Sequence, residues 1–523
     1  MNKKRFFQNA IMLIVSTFLL RLVFTAFRVV VSNMVGAECM GLYQLTFAIY
    51  NISVTFATSG INFAVTRLIA KALSKNDRAG AKNIMRLSFI YSLAFGIAAC
   101  IIVFAFSEKI GVYLLCDERS VLSLKAFAIS LPFISVSAAA SGYFYAARNV
   151  NSTLASRVLE QASQIACFYV FMLFVPSENV ELSCLSIVAA SAVSEVLGSV
   201  YLILRFVFEY RGERGLRKKG VLKNLCAVAL PSAAGAYLKS GLQTIENVLI
   251  PIGFRKFGAS KSDALAGYGI LCSMVMPVIF FPSFVFSSFA MLLIPELTEA
   301  QVLKKNGEIK NTAGLAIRLT LMFSLFISAN FIVFGRSIGD VLYNEKDAGA
   351  LIKIMAPLIP FMYLDSIADG MLKGLGEYTR VLKYSTIDTV VSITMIYFVV
   401  SEYGLYGYVL VIYTSTMLNA FLSIRRLLVV SQNKLLFFSD IVVPFCASLF
   451  SSVCSKIILT PLIYTNGKVF FVVFALLCSA LLLTSFILLS KGRMYSIVRY
   501  AVKTVAALKP KSNFKALNRI NNN

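Results

Sequence analysis

The chain has 523 residues, of which 58% are apolar and 14% charged, and its formal net charge is +25. Soluble domains sit near half apolar and a quarter charged, so the composition excludes a soluble globular protein and makes lipid the main solvent. Histidine and tryptophan are absent, which leaves proton chemistry to carboxylates and interfacial anchoring to tyrosine and phenylalanine.

Apolar runs of about 20 residues, each long enough to cross ~30 Å of hydrocarbon as a helix, recur about fourteen times. Their centres fall near residues 20, 52, 95, 134, 164, 194, 238, 277, 323, 361, 393, 416, 452 and 479. They are numbered here as spans in chain order. The first follows Lys3, Lys4 and Arg5 and imitates a signal peptide. No small-x-small cleavage site follows and the run continues past Arg21, so it reads as an uncleaved first span.

One face of span 1 is polar throughout: Thr17, Arg21, Thr25, Arg28 and Ser32 recur at spacings of four and three. Arg21 lies about thirteen residues from either end, or ~20 Å at 1.5 Å rise per residue, beyond easy snorkelling. Span 2 has its own stripe in Gln44, Asn51, Thr55, Asn62 and Thr66, and span 7 has Ser232, Lys239, Gln243 and Glu246. Ionisable groups inside spans are costly and face a cavity or a partner, so three such stripes predict a hydrated, cationic central cavity. The other in-span ionisable residues are Glu160, Glu195, Asp365, Asp369, Asp388 and Lys456.

Plainer readings stand beside these. Arg28, Glu246 and Lys456 are near the outer ends of their spans and have snorkelling as an alternative. Glu160 is one turn from Arg157 and has a local ion pair as its alternative, as has Asp369 with Lys373. Polar stripes also serve as helix-packing glue. The ten scattered cysteines include no CxxC pair and read as small packing residues, so no metal site is expected. Prolines at 277, 282 and 295 in span 8, and at 357 and 360 in span 10, predict bends.

Sorted by alternate sides, 36 of the 50 Lys and Arg residues lie on the N-terminal side and ten opposite, with four inside spans. The positive-inside rule then places both termini in the cytoplasm of a plasma-membrane protein. This placement, rather than nucleic-acid binding, accounts for the charge. The basic loop at 211–220 divides the first twelve spans into two sets of six. Residues 1–210 and 211–435 are therefore expected as two lobes, 436–490 as two extra helices, and 491–523 as a basic amphipathic tail on the inner leaflet. Weak internal likeness supports a repeat: charges seven residues apart in spans 1 and 7, and Gly-Tyr neighbours opening spans 2 and 8 in GLYQ and GYG.

The segment at 35–77, VGAECMGLYQLTFAIYNISVTFATSGINFAVTRLIAKALSKND, resembles the multidrug/oligosaccharidyl-lipid/polysaccharide (MOP) exporter superfamily. Its branch is that of the stage V sporulation protein B and polysaccharide biosynthesis proteins, near the MurJ-type lipid II flippases. The carrying features are an acidic residue before GLYQ, a small-residue SGI turn and the amphipathic KALSKND stretch. The resemblance implies two six-helix lobes around a V-shaped cavity, alternating access and an undecaprenyl-diphosphate-linked sugar as substrate. Basic residues on the first span line the cavity in the MurJ-type relatives, and Arg21 and Arg28 match that pattern in kind. The last two helices are similar to those that form a lipid-tail groove there. The mixed pair Lys239 and Glu246 departs from a purely cationic site.

The expectation is thus an all-α flippase, not an enzyme, that works without cofactor and as a monomer on a lipid-linked anionic saccharide among membrane lipids. Arg21, Arg28, Lys239, Gln44, Asn51 and Asn62 line its cavity, and Glu246, Glu195 and Asp365 serve gating or ion coupling. Arg28 and Glu246 are expected to pair as the outer gate. The rival readings are a cation-coupled drug exporter of the same superfamily, which needs an acidic cavity, and a membrane polymerase or ligase, which needs a long outer loop.

Overall fold

The computed structural model describes residues 3–74, 77–147, 149–175, 179–209, 220–284, 297–343, 345–459 and 468–490, and the tail expected at 491–523 lies outside them. Among the described residues every regular element is helical, and ten helices are long and apolar enough to cross a membrane. The protein is an all-α, multi-pass membrane protein.

The fourteen expected runs differ from ten because two helices are double-length. Residues 16–73 and 378–431 run for 58 and 54 residues. Each is kinked by a glycine outside helical geometry, Gly36 at φ 79° and Gly404 at φ 56°. Glycine tolerates positive φ without a Cβ clash, so the chain reverses there with no intervening loop. Divided at these points they become spans 1 and 2 and spans 11 and 12. Two further helices of 23 residues, Val150–Met172 and Lys468–Ser490, lie where spans 5 and 14 are expected and carry those numbers below. The remaining spans are 3 (Arg78–Lys109), 4 (Ser120–Ala146), 6 (Val180–Glu209), 7 (Val221–Lys256), 8 (from Lys261), 9 (Asn306–Leu342), 10 (Lys346–Gly374) and 13 (Val443–Leu459).

The prolines act where expected. Span 8 widens to a π-helical turn at Ile270–Val275 just before Pro277, and tightens to a 3-10 turn at Phe281–Ser283 around Pro282. Proline has no N–H to return to the preceding turn, so the ladder shifts register around it. Span 10 has the same kind of break at Ala356–Leu358. Pro295 lies outside the described residues.

The core is divided in a way that decides the shape. At the end of the molecule opposite the basic connections, here the far face, one apolar cluster joins both halves. It includes Leu42, Leu45, Phe127 and Val188 from the first half, and Tyr268, Leu271, Phe334 and Tyr363 from the second. Toward the basic face the core splits in two. One cluster holds Ile61, Ile69, Met85, Tyr143 and Leu202, and the other Ile309, Leu321, Ile367 and Leu427. The halves are therefore closed together at the far face and parted at the basic face. Leu225 and Ala229 of span 7 cluster with the first half, so the start of that span packs across the divide.

Far-face closure rests on a backbone contact. A Cβ on Gly41 of span 2 would collide with the Leu265 carbonyl of span 8, and one on Gly269 would collide with the Ala37 carbonyl. Without side chains the two spans cross in direct contact, the small-residue packing typical of membrane helices.

Candidate functional site

Span 1 borders the parting between the halves. Leu19, Leu22, Val23 and Phe24 are all exposed, so its middle section has little packing around it. Arg21 is exposed too, with its guanidinium 4.3 Å from the centre of the Phe284 ring of span 8. This is a cation–π contact, and Phe18, one turn before Arg21, meets Phe281 with centroids 6.4 Å apart. On the other flank Gln161 of span 5 donates to the Leu20 carbonyl at 2.9 Å. Arg21 thus stands at the opening between spans 1 and 8, and among the described residues no carboxylate pairs with it.

Arg28, two turns further, is half-buried at the closed apex. Its Nη2 donates to Gln44 Oε1 at 3.0 Å and to Ser273 Oγ at 3.3 Å, and its Nε is buried with no hydrogen-bond partner. Tyr43, Tyr268 and Tyr343 lie within reach of its charge. The expected Arg28–Glu246 gate pair is not formed. Glu246 instead accepts a hydrogen bond from Ser392 of span 11 at 2.6 Å. Bonds to nearby hydroxyl and amide groups cost less side-chain entropy than a bridge between two long side chains across the cavity.

Gln44 is placed against the site by that bond to Arg28. Asn51 is exposed, and Thr55 reaches Ser240 of span 7 at 3.3 Å. The stripe does not continue as one face. Ser59 and Gly60 both take positive φ, 42° and 71°, and break span 2. Past that break Thr66 donates to the Gly142 carbonyl of span 4 at 3.1 Å, and the Asn62 carbonyl lies under Gly142. The turn that carries Asn62 therefore packs within the first half.

Lys239 and Gln243 are exposed on span 7, and Lys239 is close enough to Asp369 for their charges to interact. Asp365, Asp369 and Asp388 all face span 12. They accept from Asn419 at 2.9 Å, Ser423 at 3.0 Å and Ser415 at 2.6 Å respectively, and Asp365 Oδ1 is buried without a partner. Glu195 is half-buried in the first half near Glu160, which pairs with Arg157 at 3.2 Å as its plainer reading proposed. Among the described residues no group of three or more metal-ligating side chains comes together.

Sequence reasoning missed Phe284, Gln161, Ser273 and Ser392. None stands out by type, because an aromatic or a hydroxyl inside a span is ordinary until its neighbour is known. The carboxylates were visible, but not that span 12 supplies their partners.

A family model described as polysaccharide biosynthesis protein matches residues 6–301, more than half of the chain. The chain belongs to this family. A second model, MatE, matches residues 255–398. Of curated relatives, "Stage V sporulation protein B" of Bacillus subtilis is 24% identical over 80% of this chain and 82% of its own length. Of solved structures, "Lipid II flippase MurJ, inward closed conformation" superposes with TM-score 0.66 at 13% identity, over 91% of this chain and 98% of that one. An inward-facing multidrug resistance MATE family transporter of the MOP superfamily gives 0.63 at 15% identity, over 80% and 96%. The chain is thus a multi-pass membrane protein of the polysaccharide biosynthesis family, with a fold shared by MurJ and the MATE transporters.

Proposed function

We propose that this protein is a transporter of the MOP superfamily, a flippase for a polyprenyl-diphosphate-linked saccharide, acting as a monomer by alternating access in the plasma membrane with both termini in the cytoplasm. The observation that carries the reading is a pair of uncompensated guanidinium groups. Arg21 rests on an aromatic ring and Arg28 on an amide and a hydroxyl, with no carboxylate on either among the described residues. Seven residues separate them, about 10 Å along a helix, so they form two stations on one face. Arg suits a diphosphate because its planar fork donates paired hydrogen bonds to anionic oxygens.

In this reading the lobes are 1–210 and 211–435. The headgroup enters from the basic, cytoplasmic face past Arg21 while the polyprenyl tail stays in lipid beside span 1. The diphosphate passes to Arg28, with Lys239, Gln44 and Asn51 lining its route and Asn62 outside it. Glu246, Glu195 and Asp365 remain as gating or ion-coupling groups, and no bond is made or broken, so the chain is no enzyme. The rival cation-coupled drug exporter would draw on Asp365, Asp369 and Asp388, which hydrogen-bond to hydroxyl and amide groups of span 12, and it leaves the two guanidinium groups on span 1 without a role.

The test is a reconstituted flipping assay with a fluorescent polyprenyl-diphosphate sugar. Arg21→Ala should abolish flipping and Arg21→Lys should keep a small part of it. Full activity in Arg21→Ala, or loss of drug efflux without loss of flipping, would overturn the proposal.

A further inference from the structure

We infer that Glu38, Asp117, Arg119, Lys261 and Ser262 form a latch that holds the far face closed and has to break for the cavity to open on that side. The inference rests on the alternating-access reading but not on the identity of the substrate. Three of these residues belong to the first half: Glu38 just past the Gly36 reversal, and Asp117 and Arg119 between spans 3 and 4. Lys261 and Ser262 open span 8 in the second half. Two contacts cross the divide. Lys261 Nζ is 3.2 Å from Asp117 Oδ1, and Ser262 Oγ donates to Glu38 Oε2 at 2.6 Å.

Arg119 organises the receiving side. Its Nη1 donates to Glu38 Oε1 at 2.8 Å, its Nη2 to Asp117 Oδ2 at 2.9 Å and its Nε to Asp117 Oδ1 at 3.1 Å. A single guanidinium thus holds two carboxylates at fixed positions facing span 8. The Asp117 side chain is only 2% exposed, which is unusual for a carboxylate in a connection and requires its partners to be in place.

This arrangement suits a reversible closure. When the halves part, Lys261 and Ser262 leave with span 8, while Arg119 stays with both carboxylates. The first half is then left with one unpaired negative charge instead of two, and the cost of opening stays small. The latch lies directly over the Gly41–Gly269 crossing, so both features close the same seam. Neither Arg28 nor Glu246 takes part in it.

The test uses the full chain with nine cysteines replaced by serine, leaving Cys272, which lies beneath the seam within reach of the Arg28 charge. A membrane-impermeant maleimide is added to the far-face side of oriented vesicles. Lys261→Ala with Ser262→Ala should label Cys272 roughly two- to tenfold faster than the parent, the range for partly exposed contacts. Lys261→Arg, which keeps the charge, should label at the parent rate. Unchanged labelling in the double variant overturns the latch. A second arm places Glu38→Cys and Ser262→Cys together in an otherwise cysteine-free chain. Oxidation to the disulfide should stop transport and reduction should restore it, whereas transport by the cross-linked chain overturns the latch. The labelling arm is read without substrate, so the latch can fail there while the flippase proposal stands, and the reverse.

Discussion

The Gly41–Gly269 crossing gives the sharpest test of how the far face closes. With Gly269→Ala the new methyl would lie 2.7 Å from the Gly41 nitrogen, besides colliding with the Ala37 carbonyl. Ordinary contact begins near 3.4 Å and the obstructing atoms are backbone, so neither side chain nor rotamer is free to yield. Spans 2 and 8 must move apart by roughly 1 Å, and overpacking of this kind costs about 1–3 kcal/mol. That cost falls only on the closed arrangement, because the two spans separate when the far face opens. The ratio of closed to open should therefore drop about 5- to 150-fold. Spin labels at Tyr113→Cys and Tyr406→Cys report it, since both positions are exposed at the far face and lie in opposite halves. Pulsed distance measurement should show a longer component growing in Gly269→Ala and again in Gly41→Ala. The double variant should fall short of the sum, because the two methyls relieve one another by a single separation. A distribution identical to the parent in both single variants would refute the argument that this contact closes the seam.

Other outcomes follow from the same contacts. Exchanging Arg28 and Glu246 should not rescue either single variant, because the two do not pair; rescue of flipping by the exchange would restore the gate that the geometry replaces. Burial alone would push the Asp117 carboxyl up, but the hydrogen bonds and charge of Arg119 and the charge of Lys261 outweigh it and hold the carboxyl below its ordinary value. The carboxyl is therefore ionised in the closed arrangement at every pH above its ordinary value of about 3.9, and its part in closure is lost only at lower pH, where it protonates. Glu38, Arg119 and Lys261 face it and Arg255 of span 7 lines the same small pocket, and since no group among these changes charge in the range, Cys272 labelling compared between Asp117→Asn and parent should show a difference that stays constant from about pH 8 to 5.5. Ser479 donates to Asn330 Oδ1 at 2.8 Å, both fully buried between spans 14 and 9. Ser479→Ala should lower thermal stability in detergent by about 0.6 kcal/mol and at most ~1.7, whereas Asn330→Leu, which removes the acceptor but leaves Ser479 the Leu476 carbonyl, should be milder than Asn330→Asp, which buries a carboxylate.

Much of the fold was legible because membrane burial imposes a long-wavelength signal. Runs of about 20 apolar residues and a basic bias on alternate connections survive without knowledge of any contact. The proline-broken turns of spans 8 and 10 were legible for a similar reason, since a missing N–H acts locally. The site was legible only in part. Arg21 and Arg28 declare themselves because a guanidinium in mid-span needs an explanation wherever it points. The span 2 stripe was legible only in part, because a periodic stripe assumes one uninterrupted helix and the left-handed pair at Ser59–Gly60 interrupts it, with Thr66 beyond the break bonded to span 4. The Arg28–Glu246 pairing misled because similar depth along two spans says nothing of azimuth.

The sequence by itself determined that this chain lives in a membrane, how many times its apolar runs recur, and that its first span carries cations where lipid would not accept them. Those are properties of composition and spacing, set by the solvent the segment must meet. Only the tertiary structure decided which face is shut and which is parted, that glycines 41 and 269 let two helices touch, and that Asp117, Arg119 and Lys261 meet above them. Such facts depend on residues hundreds of positions apart arriving at one point. That is fixed by packing between helices, and packing leaves no periodic trace along a single strand of sequence.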